Sequence, residues 1–303
     1  MKESDLADKI TELANSLSLG IDAIGFAEAS EFQSCDLKRS QRRDPALSLP
    51  SAKTIVVAGV YIGGLALASW NRPDVGRTSR LFLSGFFNDV VVPLAPLAAF
   101  IKRRGYAALV CNDSKSGESI LPLKLAAIRA GLGWQGKNTL LVNRQYGTFL
   151  ALGAIVTNAD LAPASEHESD HCKGCSKCQL ACPMRALAQP YVLNKNRCLS
   201  YLLQRDDLPQ EARAAMGNRV VDCEICQEAC PWNSKRFGHP LLTPLVASFQ
   251  KRAQRWEEFF LFDRLRRLTL QEYCATVGRL STGIPFRIFH RNVRAASEQL
   301  QQK

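Results

Sequence analysis

The sequence has no apolar run long enough to cross a membrane. Its longest, Thr54 to Ser69, is broken by glycines at 59, 63 and 64. The N-terminus, MKESDLADKI, lacks a secretory leader's pattern, because acidic residues enter at once. Nor does the chain have the composition of a disordered or fibrous protein: 22% of its 303 residues are charged, 8% aromatic and 46% hydrophobic, enough for real cores. No internal repeat is visible beyond two cysteine runs. These absences exclude membrane-spanning, fibrous and disordered classes. They leave a protein expected to be soluble and cytoplasmic, with no membrane partner.

Cysteine is abundant instead. Eight of the eleven cysteines lie between residues 172 and 230. In a reducing compartment such a cluster points to metal or redox ligands before disulfides. Cys172, Cys175, Cys178 and Cys182-Pro183 spell C-x2-C-x2-C-x3-C-P, the bacterial ferredoxin run. Its first three thiolates converge on one [4Fe-4S] cluster, and the fourth ligates the other. Cys223, Cys226 and Cys230-Pro231 form a second run one ligand short, and the lone Cys198 completes it. On this logic Cys172, Cys175, Cys178 and Cys230 hold one cluster, while Cys182, Cys198, Cys223 and Cys226 hold the other. A pair of structural zinc sites is the alternative, but zinc modules rarely use this spacing twice. Cys35, Cys111 and Cys274 read as ordinary small hydrophobes.

Upstream of the cysteines, the apolar pattern gives an α/β unit and an overall α+β fold. An amphipathic helix is expected over Leu6–Leu17, strands at Ala23–Phe26 and Thr54–Tyr61, and a helix over Val90–Ile101 closed by a basic turn. A strand at Ala107–Cys111 and a helix at Leu121–Ala130 follow. Thr139–Val142 and Phe149–Val156 read as a strand pair across the Tyr146-Gly147 turn. The parts expected are a sandwich-type α/β domain (1–165), a ferredoxin-like two-cluster domain (166–235) and a basic helical region (236–303). A ferredoxin needs no domain of the first kind, so an enzyme with a second redox centre is expected.

Several stretches resemble the epoxyqueuosine reductase family: A-G-L-G-W-Q-G-K-N over 130–138, Y-G-T over 146–148, R-C-L-S-Y-L over 197–202 and C-Q-E-A-C-P-W-N over 226–233. R-R-D-P over 42–45 and L-P-S-A-K over 49–53 add to the likeness. The resemblance implies a cobalamin-dependent iron–sulfur enzyme that deoxygenates epoxyqueuosine to queuosine at the tRNA wobble position. It also implies kinship with reductive dehalogenases. The cobalamin signature D-x-H-x-x-G is absent, since His171 has Ser169 two residues before it. That fits a corrinoid held without a histidine ligand. The resemblance places Asp113 as the acid that protonates the leaving oxygen and as a cofactor contact, with Arg42, Leu141 and Leu152 at the corrinoid. Lys137 either meets a phosphate or caps its loop. The stretch from Asp113 to Gly131 is longer than the family pattern, which makes Glu118 a second candidate acid. It also keeps open two rival readings: a corrinoid reductase of a small molecule, and a carrier that reduces another corrinoid enzyme.

Charge is unevenly spread. Residues 233–303 hold thirteen Lys and Arg against five Asp and Glu, which is most of the net charge of +11. Such a tail suits a phosphate backbone, here a tRNA anticodon stem-loop. Trp256, Phe259, Phe260 and Phe262 lie among these charges, where packing is favoured over base stacking. A small electron donor such as flavodoxin or ferredoxin completes the expected partners, and the chain is expected to be a monomer.

Overall fold

A computed structural model describes residues 3–16, 20–32, 44–85, 93–111, 121–163, 167–233, 242–280 and 284–301. The chain forms two compact units that are not collinear with the sequence. The first gathers Met1–Tyr61, Val92–Gly136 and Leu140–Lys173; the second gathers Ile62–Val91, Lys137–Thr139 and Gly174–Lys303.

The strands of the first unit are β1 (Ala23–Glu28), β2 (Thr54–Tyr61), β3 (Ala108–Cys111), β4 (Trp134–Gln135), β5 (Leu141–Val142) and β6 (Leu150–Thr157). Four of them form an antiparallel sheet in the order β1-β2-β6-β3. Every residue of β2 is buried, as an unbroken β-branched run predicts for an interior strand. Its polar end is satisfied. The Thr54 hydroxyl donates to the Ala159 carbonyl and accepts from the Leu161 N–H.

The helix Leu123–Arg129 packs on this sheet. A Cβ on Gly25 of β1 would run into the Ala130 carbonyl, so glycine sets the close approach. The helix stops in a Schellman motif: Gly131 N–H bonds the Ile128 carbonyl at 3.0 Å and Leu132 N–H bonds that of Ala127 at 2.9 Å. Gly133 then takes φ +149°, and a Cβ there would collide with the Val142 carbonyl. The A-G-L-G-W string is therefore a turn that brings β4 against β5.

The opening helix runs Glu3–Asn15, with Leu6, Ile10 and Ala14 buried. The next long helix is Leu94–Arg103, and Gly105 at φ +87° ends it. One expectation needs correction. The two strands flanking Tyr146-Gly147 do not pair with each other: β5 pairs with β4, and only Asn143 and Gly147 bridge across the turn. β6 pairs instead with β2 along its whole length and with β3 over Ala154–Thr157.

In the second unit, short helices at Lys177–Ala181, Leu199–Leu202, Gln210–Ala215 and Ile225–Glu228 frame the cysteines. The tail is helical as expected, over Pro244–Glu257, Phe262–Arg267, Leu270–Ala275, Val277–Leu280 and Phe286–Gln301. Thr243 caps the first of these, and Thr269 with Glu272 forms a capping box on the third. Phe259, Phe260 and Phe262 are buried, so they pack helices together and do not face bases. The buried Asn292 amide donates to the Leu203 and Val220 carbonyls, tying the last helix to the cysteine-bearing stretch. Cys111 is buried, as a small hydrophobe should be, and Cys35 lies outside the described residues. Cys274 is exposed, contrary to expectation, because its short helix turns the neighbouring Tyr273 inward instead. Among the described residues, no helix is long and apolar enough to cross a membrane.

Candidate metal centre

The first cysteine run begins in extended chain and passes through a tight turn. Cys172 N–H donates to Asp170, and Lys173 takes φ +41°. The Lys137 ammonium donates to the Cys175 carbonyl at 2.9 Å, while the Lys137 carbonyl accepts from Tyr191 N–H. The Lys137 ammonium thus ties the G-K-N loop to the cysteine loop, a contact outside both of its sequence readings. Cys178 sits on the helix Lys177–Ala181, and Cys182 follows at its end. The Ala186 N–H points at the Cys182 sulfur at 3.3 Å, a contact that moderates the charge of a thiolate. Cys198 stands at the start of Leu199–Leu202.

The second run is more buried. Cys226 rides the helix Ile225–Glu228, which packs against Lys177–Ala181. Burial pushes the Cys223 thiol up to about 11, and the neighbouring Cys198 and Cys182 add to the shift. Cys226 is pushed up by burial and then by Cys223, Cys198, Cys178 and Cys182. Cys182 and Cys198 therefore lie within electrostatic reach of both Cys223 and Cys226, and Cys178 reaches Cys226 as well. Half-buried thiols crowded in this way ionise more readily with cationic charge among them, which the irons of a cluster would supply. Among the described residues, no cysteine is in a disulfide and no three His, Cys, Asp or Glu groups close on a single ion. A cubane does not ask for that, since each thiolate takes a different iron. The donor set fits.

The residues assigned to a corrinoid are placed unevenly. Leu141 is buried in the sheet's core, and Leu152 packs against that core. Neither side chain carries a ligating atom. Arg42, Asp113 and Glu118 lie outside the described residues. His171 is held by Glu168 and stacks edge-on against Trp134, with ring centroids 4.8 Å apart. Hydrogen bonds from Arg144 and then His171 hold the Glu168 carboxyl down at about 2.

Sequence reasoning missed the acids in and next to the second cysteine run. Asp222, Glu224 and Glu228 are each engaged by residues near position 80. The signal was available as acids at every second or fourth position of a ligand run, but their partners lie about 140 residues away in sequence.

A domain described as a 4Fe-4S double cluster binding domain matches residues 171–233. The chain is 32% identical over 289 residues to an epoxyqueuosine reductase of Bacillus subtilis (strain 168), covering 82% of this chain and 72% of that one. A crystal structure of epoxyqueuosine reductase with an epoxyqueuosine-modified tRNA-Tyr stem loop superposes with a TM-score of 0.79 at 27% identity. The match covers 97% of this chain and 81% of that one. A reductive dehalogenase described in terms of B12-dependent dehalogenation shares the fold alone, with a TM-score of 0.51 at 17% identity over 98% of this chain and 38% of that one.

Proposed function

The chain belongs to the epoxyqueuosine reductase family, and on that premise we propose that it deoxygenates epoxyqueuosine to queuosine at the wobble position of a tRNA. It is an oxidoreductase of mixed helix and strand. The observation that carries the reading is the pair of cysteine runs, spaced as a double-cluster domain, in a chain that matches these reductases over most of its length. Neither a small-molecule reductase nor a pure electron carrier is favoured by these likenesses.

Opening an epoxide to an alkene consumes two electrons and two protons: both C–O bonds break, a C=C bond forms and the oxygen leaves as water. A bound corrinoid supplies the low-potential electrons this needs, fed one at a time by two [4Fe-4S] clusters. The fold shared with a B12-dependent dehalogenase supports that cofactor. We assign the cluster ligands as read from the spacing: Cys172, Cys175, Cys178 and Cys230 for one, Cys182, Cys198, Cys223 and Cys226 for the other. Asp113 gives its proton to the leaving oxygen, which is otherwise a poor leaving group, and Glu118 is the second candidate. Arg42 contacts the corrinoid, while Leu141 and Leu152 back its pocket.

Residues 1–165 serve as the cobalamin part, 166–235 as the cluster part and 236–303 as the basic part that takes the anticodon stem-loop. The related structure with a bound stem loop supports tRNA as the partner. A flavodoxin- or ferredoxin-type donor reduces the clusters of a monomer in the cytoplasm.

Nucleoside mass spectrometry on tRNA from a strain lacking this gene tests the reading. Accumulated epoxyqueuosine, with queuosine restored by the wild type but not by Asp113→Ala, is the expected result. Rescue by Asp113→Ala with failure of Glu118→Ala moves the acid. Unchanged queuosine, with no second reductase in the strain, overturns the tRNA assignment.

A further inference from the structure

The buried charges of the second unit converge on one segment. Arg80 is almost wholly buried, and its chemistry is spent on the loop between Cys223 and Cys226. Its backbone N–H donates to Glu224 Oε1 at 2.7 Å and its Nη1 to Glu224 Oε2 at 2.5 Å. Its Nε bonds the Gly63 carbonyl at 3.0 Å, and Nη1 reaches Glu228 at 3.4 Å. Arg77 closes the same group by pairing with Glu228. Both guanidinium groups lie over the Trp70 ring, at 5.0 Å for Arg77 and 5.5 Å for Arg80. One residue before Cys223, Asp222 adopts φ +57° and accepts from the hydroxyls of Ser79 and Ser200 and the amide of Gln204. The segment is itself pinned: Arg77 N–H bonds the Asn218 carbonyl, and Val220 N–H bonds that of Arg77.

A buried carboxylate is expensive to leave alone, and here one guanidinium N–H and one backbone N–H of Arg80 take its two oxygens. Glu224 stands between two cluster ligands and carries no obvious role in ligation. Its partner arrives from a part of the chain that holds no cysteine. We propose that Arg80, with Ser79, is a positioning residue for one cluster: it clamps Asp222 and Glu224 so that Cys223 and Cys226 are preset for the iron they share with Cys182 and Cys198. The segment 77–80 is then part of the cluster site although the cysteine spacing gives no hint of it. Ligands held in place before metal arrives lose less freedom when it binds, which slows iron release.

This inference rests on the ligand assignment above, and the test separates the two. The purified holoprotein is assayed for iron and for the rate at which each cluster is lost to a chelator under anaerobic conditions. The two cluster signals are told apart by the one missing in Cys226→Ser. A wild type with about eight iron per chain supports the ligand assignment, and one without clusters overturns that assignment itself. With clusters present, Arg80→Gln is expected to release the Cys182/Cys198/Cys223/Cys226 cluster roughly tenfold faster or more, with the other cluster within about twofold of wild type. Arg80→Lys should recover most of the lost stability. If Arg80→Gln does not fold, Ser79→Ala decides: it removes the hydroxyl's bond to Asp222 together with the one it accepts from Phe82 N–H, and should speed release of the same cluster by about fivefold to tenfold. Unchanged rates, or equal acceleration of both clusters, would overturn the proposal.

Discussion

The four-stranded sheet and the two cysteine-bearing helices Lys177–Ala181 and Ile225–Glu228 hold their shapes by different means. Between those helices in sequence lie buried residues such as Leu199, Leu203, Met216 and Val220. The sheet is an apolar object: β2 is wholly buried, and Ile55, Val57, Ala154 and Val156 share one core with the helix that follows β3. The helices that carry Cys178 and Cys226 bury none of their own residues. At roughly 25 cal/mol per Å² of apolar burial, such short polar helices gain too little to offset the ordering of their backbone. What fixes them is iron, a few hydrogen bonds such as Lys137 to Cys175, and the buried ion pairs around Glu224. Part of the chain is thus ordered by its apolar core and part by polar contacts and its cofactor.

Removing iron should break the comparison open most widely. Anaerobic chelation is expected to abolish hydrogen-exchange protection through the two cysteine runs, 172–182 and 223–230, while the amides of β2 and β6 stay protected. Equal loss in both regions would mean that they are not independent. The converse change is a core deletion. Ile155→Ala, at a fully buried site in β6, should cost about 2–5 kcal/mol in denaturant unfolding yet leave the iron per folded chain unchanged. Gly25→Ala comes next: its new methyl meets the Ala130 carbonyl, and a cost of about 1–3 kcal/mol is expected in the same assay.

Smaller effects sharpen the picture at the surface. Arg267 and Arg294 are exposed in the tail, and replacing either with Ala should weaken stem-loop binding for all sequences alike. Each replacement should lower the slope of log affinity against log salt by about 0.7–0.9. The smallest effect concerns Glu168, whose carboxyl sits at about 2 because of Arg144 and His171. A depressed acid stabilises the fold above its unfolded value and loses that contribution as pH falls through the folded one. The wild-type advantage over Glu168→Gln should therefore be flat above about pH 5 and vanish towards about pH 2, read as the difference in Tm.

How much of this was legible in the sequence follows from which interactions are local. The period of Leu6 and Ile10, the β-branched run of β2 and the spacing of the eight cysteines are local patterns, and each led to the element found. Strand pairing was less accessible. β5 and β6 look like a hairpin around Tyr146-Gly147, yet β5 pairs with β4 and β6 with β2 and β3, a choice of partners that no local pattern marks. The ion pair of Arg80 with Glu224 spans 144 positions, and an arginine in R-T-S-R carries no mark of burial. Asp113, Glu118 and Arg42 were read from family resemblance, and all three fall outside the described residues.

The most direct test of the central claim is a single-turnover assay. The reduced holoprotein, loaded with cobalamin, is mixed with an epoxyqueuosine-containing stem-loop, and the nucleosides are weighed by mass spectrometry. Conversion to a product lighter by one oxygen, abolished in Cys226→Ser, is the predicted result. Unchanged epoxyqueuosine, from protein shown to hold both clusters and cobalamin, would contradict the account.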